Sequence, residues 1–543
     1  MKQETPVARP GILGVDVKER FSNRHRGSVE PRPIPIELVL EKEPFFIYAH
    51  YGKHKIKIGG ISLEYKDILL PYNPWWNSLE KAFDRLPLFH RPIFTKIYRE
   101  MKEIPQIISI TGPRRVGKST VIRQIIKNLI TLEKVNPQDV IYYSMDDPAL
   151  FLSEVHHDKF FESIMDHARK NPLENHLTYI FLDEIQRFER WELFLKKYYD
   201  LNYPVRFVVS GSASSPIFKK SRESLLGRIK DFHLLPFSFR EFVLFQNRDN
   251  PLLIKKINYI YEKGKAVMGL LVDRPGYAEL ETVPIPEIPS EMRKNIDAHF
   301  EKFLLEGGFP EVWSLPDWEI KQSYLFDNQV EKVISEDLVL AVELRKPELL
   351  KKFFISLLED PGREINFQQL SQELGINRAT IEKYFPLLEM TDLIHHVEKF
   401  SKSVVKVRRG NIKVYLVDLA LRNSILRIRS LEFITEDKIG FYIENLVFNA
   451  LEKWEGTVSV NYYREKDREI DFVVHIGARK YLPIESKYKE SIDDRELKNI
   501  ENFCSHYKCP PGIVVTKQWD DFGSRSNGKI FYIPIQLFLL LFD

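Results

Sequence analysis

An apolar run, Ile107-Ile108-Ser109-Ile110, passes directly into Thr111-Gly112-Pro113-Arg114-Arg115-Val116-Gly117-Lys118-Ser119-Thr120. A short apolar run closed by a glycine-containing turn reads as a buried strand, and Val121, Ile122, Ile125, Ile126 and Leu129 then recur at helical spacing. The segment therefore predicts a strand, a tight loop and a helix whose N-terminus faces the loop. Unpaired N–H groups and the helix dipole make such a terminus a seat for an anion. The spacing Gly112-x4-Gly117-Lys118-Ser119 is that of a nucleotide phosphate loop, in which backbone N–H groups wrap the phosphates. Lys118 reaches the β- and γ-phosphates, the Ser119 hydroxyl ligates Mg²⁺, and Gly112 to Thr120 line the site. ATP or GTP is the expected ligand. The plainer reading, a glycine turn before an ordinary helix, leaves the lysine and both flanks unexplained.

A second apolar run, Tyr179-Ile180-Phe181-Leu182, delivers Asp183 and Glu184 at its end. Asp183 would share the Mg²⁺ with Ser119, and Glu184 would polarise the attacking water, because phosphoryl transfer depends on positioning and charge stabilisation. A third run, Val205–Val209, ends in Ser210-Gly211-Ser212, which places Ser210 as a candidate γ-phosphate contact. The simpler alternatives are a solvated acidic turn and an ordinary Ser-Gly turn.

The length of 543 residues predicts three to four domains, and 43% hydrophobic with 29% charged residues is the balance of a globular chain. The longest apolar run, Leu537–Phe542, is too short to span a bilayer. The N-terminus lacks the apolar core of a secretory signal. A cytoplasmic protein without membrane contact is expected. The net charge of +3 does not announce a nucleic-acid partner, so local clustering must carry that argument. Cys504 and Cys509 are too few for a disulfide framework or a four-ligand zinc site and read as small core residues. His156-His157 and His395-His396 are read as structural.

Along the chain, residues 1–33 read as a mobile arm and 34–78 as a small β-module ending in Asn73-Pro-Trp-Trp76, an apolar plug for the next unit. A nucleotide-binding core is expected over 79–235, and a helical lid with a Pro-rich insertion over 236–345. Residues 346–428 follow helix-turn-helix grammar: Phe367–Leu374, a Gly375 turn, and a second helix capped by Asn377 that turns Ile381, Tyr384, Phe385 and Leu388 inward. Arg378, Thr380 and Lys383 would be its exposed face. Two strand-like stretches, Leu393–Phe400 and Ile412–Val417, then form a wing carrying Lys399, Lys402, Lys406, Arg408, Arg409 and Lys413 with no acidic residue between. Such a wing suits DNA phosphates; the alternative is a winged helix used only for packing.

Residues 429–543 open with a helix whose Glu444 shares a side with Phe441, Val447 and Phe448. A carboxylate there is costly without a partner. In Glu469–Ile476 the apolar alternation sends Asp471 to the opposite face, and in Ile484-Glu485-Ser486-Lys487 the two-residue period puts Glu485 and Lys487 on one face. Asp471 and Glu485, with the Ser486 carbonyl, are candidate ligands of one hard cation, Mg²⁺ or Mn²⁺, and Lys487 would orient a water.

Taken together, Thr-Gly-Pro-Arg-Arg-Val-Gly-Lys-Ser (111–119), Leu-Asp-Glu-Ile-Gln (182–186), Ser-Gly-Ser (210–212), Leu-Gly-Arg (226–228), Pro-Phe-Ser-Phe-Arg-Glu-Phe (236–242) and Glu-Gly-Gly-Phe-Pro-Glu (306–311) resemble a family of prokaryotic AAA-type ATPases with a C-terminal domain of unknown function. The resemblance implies an α/β fold with an AAA-type core, ATP as nucleotide, and Arg228 as a candidate arginine finger acting within a homo-oligomer such as a hexameric ring. The last hundred residues resemble the PD-(D/E)XK, restriction-endonuclease-like core. There Asp471 lacks a preceding proline, and Pro483 sits at the entrance of the third strand. The combined expectation is a Mg²⁺-dependent ATPase that processes DNA, with Glu444, Asp471, Glu485 and Lys487 as a nuclease-like site. The rivals are a nucleotide-operated switch with a non-catalytic C-terminal domain and a protein-remodelling ATPase that ignores DNA.

Overall fold

The computed structural model describes residues 35–40, 43–48, 55–58, 61–148, 157–169, 177–212, 224–273, 288–339, 344–359, 361–401, 411–454, 459–466, 468–476, 480–509, 511–525 and 529–542. The expected N-terminal arm, most of the Pro-rich insertion and the wing residues Lys402, Lys406, Arg408 and Arg409 lie outside these. The N-terminal β-module is two separate antiparallel pairs, Pro35–Leu40 with Glu43–Tyr48 and Lys55–Ile58 with Ile61–Glu64.

The nucleotide-binding core is a five-stranded parallel sheet in the order Val140–Ser144, Thr178–Asp183, Val205–Ser212, Ile107–Gly112, Ile229–His233. The first four strands are buried almost throughout, as a parallel sheet covered on both faces requires, while the edge strand Ile229–His233 is mostly half-buried. The expected plug docks on the other edge strand. Trp75 and Trp76 both donate their indole N–H to the Val140 carbonyl, at 3.0 and 3.1 Å, and Asn73 exchanges hydrogen bonds with the Tyr142 backbone.

Two of the family-like motifs are structural partners. Ser238 and Glu241 form a reciprocal cap at the start of Phe239–Gln246. Phe237 N–H donates to the Gly308 carbonyl at 2.8 Å, and Gly308 N–H donates to Asp418 at 2.6 Å. Gly307 has φ +68°, and a Cβ there would lie 2.0 Å from Asp418 Oδ1, so glycine is obligatory at this crossing. Burial pushes the Asp418 carboxyl up to about 6, against the two backbone N–H groups that favour its charge.

Phe367–Leu374 and Arg378–Met390 form the expected helix pair, with Gly375 left-handed at φ +64° and the Asn377 side chain capping the second helix. Arg378 and Lys383 are exposed and Thr380 is half-buried. The strands Ile394–Lys399 and Ile412–Leu416 pair antiparallel. Lys413, expected among the wing cations, is instead buried. The alternation of Ile412-Lys-Val-Tyr-Leu turns Lys413 and Tyr415 together toward the helix Glu436–Lys453, where Glu444 meets them.

This strand pair does not end at its own edge. Ile394–Lys399 pairs in parallel with Ser459–Glu465, so one nine-stranded sheet runs from the short strand Glu364–Ile365 to Gly523–Arg525 and carries both C-terminal units. Pro483 lies inside the strand Tyr481–Lys487 rather than at its entrance, opposite Val473, and the parallel ladder with Gly512–Thr516 starts one residue later at Ile484. The final apolar run forms the helix Ile535–Leu541, buried along its length. Among the described residues no helix is long and apolar enough to cross a membrane.

Candidate functional sites

The phosphate loop leaves the sheet at Gly112, whose φ of +143° and missing Cβ are both required: an added Cβ would sit 1.9 Å from the Leu234 carbonyl oxygen. Gly117, at φ +98°, caps the helix Lys118–Thr131 and has open space where a Cβ would project. Val116 and Lys118 are buried, while Ser119 and Thr120 are half-buried at the helix start. Lys118 Nζ folds back onto the Gly112 and Pro113 carbonyls at 3.0 and 2.8 Å. Burial lowers its pKa against the pull of Glu184 and Asp183, which is the state of a cation that a phosphate would stabilise.

The parallel register brings the other groups to the same rim. Asp183, at the end of its strand, accepts the Tyr142 hydroxyl at 2.9 Å, the Ser210 hydroxyl, and the Glu184 N–H at 3.1 Å. Glu184 is held left-handed at φ +49° and its carboxyl is raised, first by burial. A buried carboxylate ringed by hydroxyls at the helix N-terminus is a hard-oxygen donor set that fits Mg²⁺ beside a triphosphate. Arg228 lies elsewhere. Gln106 Nε2 donates to the Gly227 carbonyl and Ile107 pairs with Ile229, so Arg228 is level with the start of the strand Ile107–Gly112, roughly 20 Å of strand from Gly112. It pairs there with Asp200 at 2.6 Å on the surface.

Several residues at this rim escaped sequence reasoning. Arg91 forms a bidentate pair with Glu241 (2.7 and 2.6 Å) and donates to the Val116 and Leu235 carbonyls, bracing the loop from behind. Arg114 pairs with Asp337 and Arg115 with Glu311. Thr111 Oγ1 lies 2.9 Å from His233 Nδ1, and His233 Nε2 lies 3.0 Å from Asp392, just beyond the helix Arg378–Met390. All these partners are distant in sequence; Glu241 and Glu311 lie in the family-like motifs, whereas no local pattern marks Arg91, His233, Asp337 or Asp392.

The C-terminal constellation also assembles. Continuing the antiparallel register from Phe472 opposite Ile484 puts Asp471 directly opposite Glu485, a placement of like charges that is unfavourable by itself. Asp471 N–H donates to Glu485 at 3.2 Å, Ser486 N–H donates to Asp471 at 2.8 Å, and Lys487 Nζ is 2.6 Å from Glu485. Burial, then the Asp471 charge, push Glu485 up to about 8. Glu444 is pushed up to about 7 by the same two causes. It accepts Lys413 at 2.9 Å and Tyr415 at 2.6 Å, and Lys413 also reaches Glu469 at 3.0 Å. Among the described residues no three His, Cys, Asp or Glu side chains form a metal cage. Asp471 and Glu485 remain a two-carboxylate pair whose crowding a hard cation would relieve.

Residues 105–243 match the family model described as an AAA domain, while 297–432 and 439–538 each match a domain of unknown function, DUF8612 and DUF4143. The chain is 23% identical over 501 residues to the uncharacterized protein MJ1637 of Methanocaldococcus jannaschii, covering 89% of this chain and 95% of that one. It is 21% identical over 439 residues to an uncharacterized protein of Haemophilus influenzae, covering 80% and 94%. Among solved structures, C. elegans PCH-2 overlaps at a TM-score of 0.26 with 14% identity, over 44% of this chain and 62% of that one. S. cerevisiae Hsp104 bound to ADP overlaps at 0.25 with 15% identity, over 56% and 39%. Those overlaps are too slight to carry an argument; the domain match and the assembled phosphate loop make residues 105–243 an AAA-type P-loop ATPase core.

Proposed function

We propose that this chain couples Mg²⁺-dependent ATP hydrolysis to the cleavage of DNA at its C-terminal site. The observation that carries the second half is the convergence of Asp471, Glu485 and Lys487 on one sheet face, with Glu444 held nearby by Lys413 and Tyr415. Lys118 binds the triphosphate, Glu184 orients water, and Ser119 with Asp183 would hold Mg²⁺. At the C-terminal site Asp471 and Glu485 would hold a divalent cation, which supplies charge neutralisation for the phosphodiester and lowers the pKa of a bound water. Lys487 is placed to donate to the same phosphate or water. Arg378, Lys383 and the wing would hold the DNA backbone.

One observation favours a second reading. Lys413 and Lys487 already neutralise Glu444 and Glu485, which suits a polar junction as well as a cutting site. In that case ATP operates a switch and nothing is cut. Full-length protein incubated with labelled linear, branched and single-stranded DNA, with Mg²⁺ or Mn²⁺ and with or without ATP, separates the two. Cleavage that Asp471→Ala and Lys487→Ala abolish, with ATPase activity retained, supports the first; no cleavage of any substrate supports the second.

A further inference from the structure

Arg114 occupies a position in the phosphate loop that its ion pair does not fully explain. Lys118 Nζ sits 2.8 Å from the Pro113 carbonyl, so the phosphate-binding ammonium rests against the peptide that joins Pro113 to Arg114. The Arg114 side chain is largely covered. Its Nε donates to Asp337 Oδ2 at 2.8 Å and its Nη2 to the other carboxylate oxygen. Gln329 Nε2 holds the Arg114 carbonyl at 2.9 Å. Both partners come from successive π-helical turns, Phe326–Glu331 and Val333–Asp337, a geometry that concentrates at functional sites. The Glu184 charge acts on Arg114, and the Arg114 charge acts in turn on Lys118, so the arginine belongs to the same charged rim as the loop lysine. Arg115 differs: it is exposed, and pairs with Glu311 against the Tyr324 ring.

A forked arginine–carboxylate pair has the same geometry as a forked arginine–phosphate pair. Asp337 thus presents two oxygens where two phosphate oxygens would serve equally well. Resting on the ATPase reading, we propose that Arg114 is a catalytic arginine supplied in cis, which leaves Asp337 to grip the γ-phosphate of ATP bound to its own loop. In hydrolysis the water oxygen bonds to the γ-phosphorus as the bond from that phosphorus to the β–γ bridging oxygen breaks. The electron pair stays on the ADP oxygen, one water proton leaves by way of Glu184 to solvent, and the other remains on the phosphate product. Negative charge spreads over the three equatorial oxygens during this step, so a fork beside them gains more in the transition state than in the bound substrate. Asp337 is a positioning residue: it keeps the guanidinium beside the site and connects nucleotide state to the 297–432 segment.

The test compares full-length wild type, Arg114→Ala, Asp337→Asn and Lys118→Ala, using a fluorescent ADP with Mg²⁺, with and without aluminium fluoride as a planar phosphoryl mimic. Arg114→Ala is expected to bind ADP within about threefold of wild type, to lose on the order of 10²–10³ in turnover, and to trap no ADP–aluminium fluoride. Asp337→Asn is expected to keep trapping, because the arginine remains. Trapping by Arg114→Ala at the wild-type level overturns the proposal. So does equal loss of trapping in both variants, which would make the pair a structural clamp. Failure of the wild type to bind ADP, or undiminished binding by Lys118→Ala, would overturn the ATPase reading instead.

Discussion

In the proposed hydrolysis of ATP, the environments of Lys118 and Glu184 assign them to different moments of the reaction. Lys118 is a buried cation resting on two carbonyls; a triphosphate replaces those weak acceptors with a full charge, so the lysine acts in ground-state binding. Glu184, raised by burial, acts on the water alone. Lys118→Ala should therefore abolish nucleotide binding, whereas Glu184→Gln should bind ATP normally and hydrolyse it at least about 10²-fold more slowly. Wild-type turnover by Glu184→Gln would remove Glu184 from the reaction. Glu485 makes a prediction in pH. Its ordinary pKa of 4.5 rises to about 8 in the fold, so the folded state holds an extra proton between those values. The stability this contributes is complete below the ordinary value and is lost as pH rises through about 8. Glu485→Gln, which cannot ionise, should melt at the wild-type temperature near pH 5 and above it near pH 8.5. Each kcal/mol gained is worth about 2–4 °C in a unit of this size. Parallel melting curves across that range would show that the crowding of Asp471 and Glu485 costs the protein nothing.

At the scale of elements, the strand Ile412–Leu416 and the helix Glu436–Lys453 are joined by a buried cation rather than by apolar packing alone. Burial opposes the Lys413 charge, but Glu444, Asp471 and Glu469 outweigh it and hold the ammonium above its ordinary range. Removing one partner of such a pair strands the other charge. Lys413→Ala should cost about 3 kcal/mol at pH 8, and less at pH 6, where Glu444, whose pKa is about 7, takes up a proton. Adding Glu444→Gln should return part of the loss in a denaturant melt; strictly additive losses would show that the two residues do not interact. This pair also marks where sequence reading stops. Ile107–Ile110, Tyr179–Leu182 and Val205–Val209 were legible as strands because a parallel sheet buries both faces and leaves an unbroken apolar run. The helix pair around Gly375 was legible from its spacing and cap. Glu444 is legible as a residue in need of a partner, but Lys413 reads as a wing cation on charge alone, and only its alternation with Tyr415 points it inward. Arg91, His233, Asp337 and Asp392 carry no local signal, since their roles arise only when segments far apart in sequence meet at the rim of the sheet.

For the whole molecule, the position of Arg228 decides what an isolated chain can do with it. The parallel register sets Arg228 at the opposite end of the sheet from Gly112, and a side chain does not reach back roughly 20 Å along a strand. If Arg228 serves a γ-phosphate, that phosphate belongs to another copy. The surface around it suits such a contact: Leu226 and Leu201 are both exposed, and Arg228 is held by the exposed Asp200, which a neighbour can displace at little cost. We therefore expect Arg228→Ala and Glu184→Gln each to be nearly inactive alone, and an equimolar mixture to recover activity. A working site in the mixture takes Glu184 from an Arg228→Ala chain and Arg228 from a Glu184→Gln neighbour, so random assembly should yield about a quarter of the wild-type rate. Arg114→Ala gives the contrast. An arginine acting on its own loop cannot be supplied by a neighbour, although Arg114→Ala mixed with Arg228→Ala should still recover about a quarter, at Arg228→Ala sites whose neighbour is an Arg114→Ala chain. The same mixture with Glu184→Gln in place of Arg228→Ala should recover nothing, because both chains then lack a group that acts in cis. Absence of recovery in the Arg228→Ala and Glu184→Gln mixture, together with a single-chain mass by light scattering in the presence of ATP, would leave Arg228 as a surface partner of Asp200 and the chain as a monomeric ATPase.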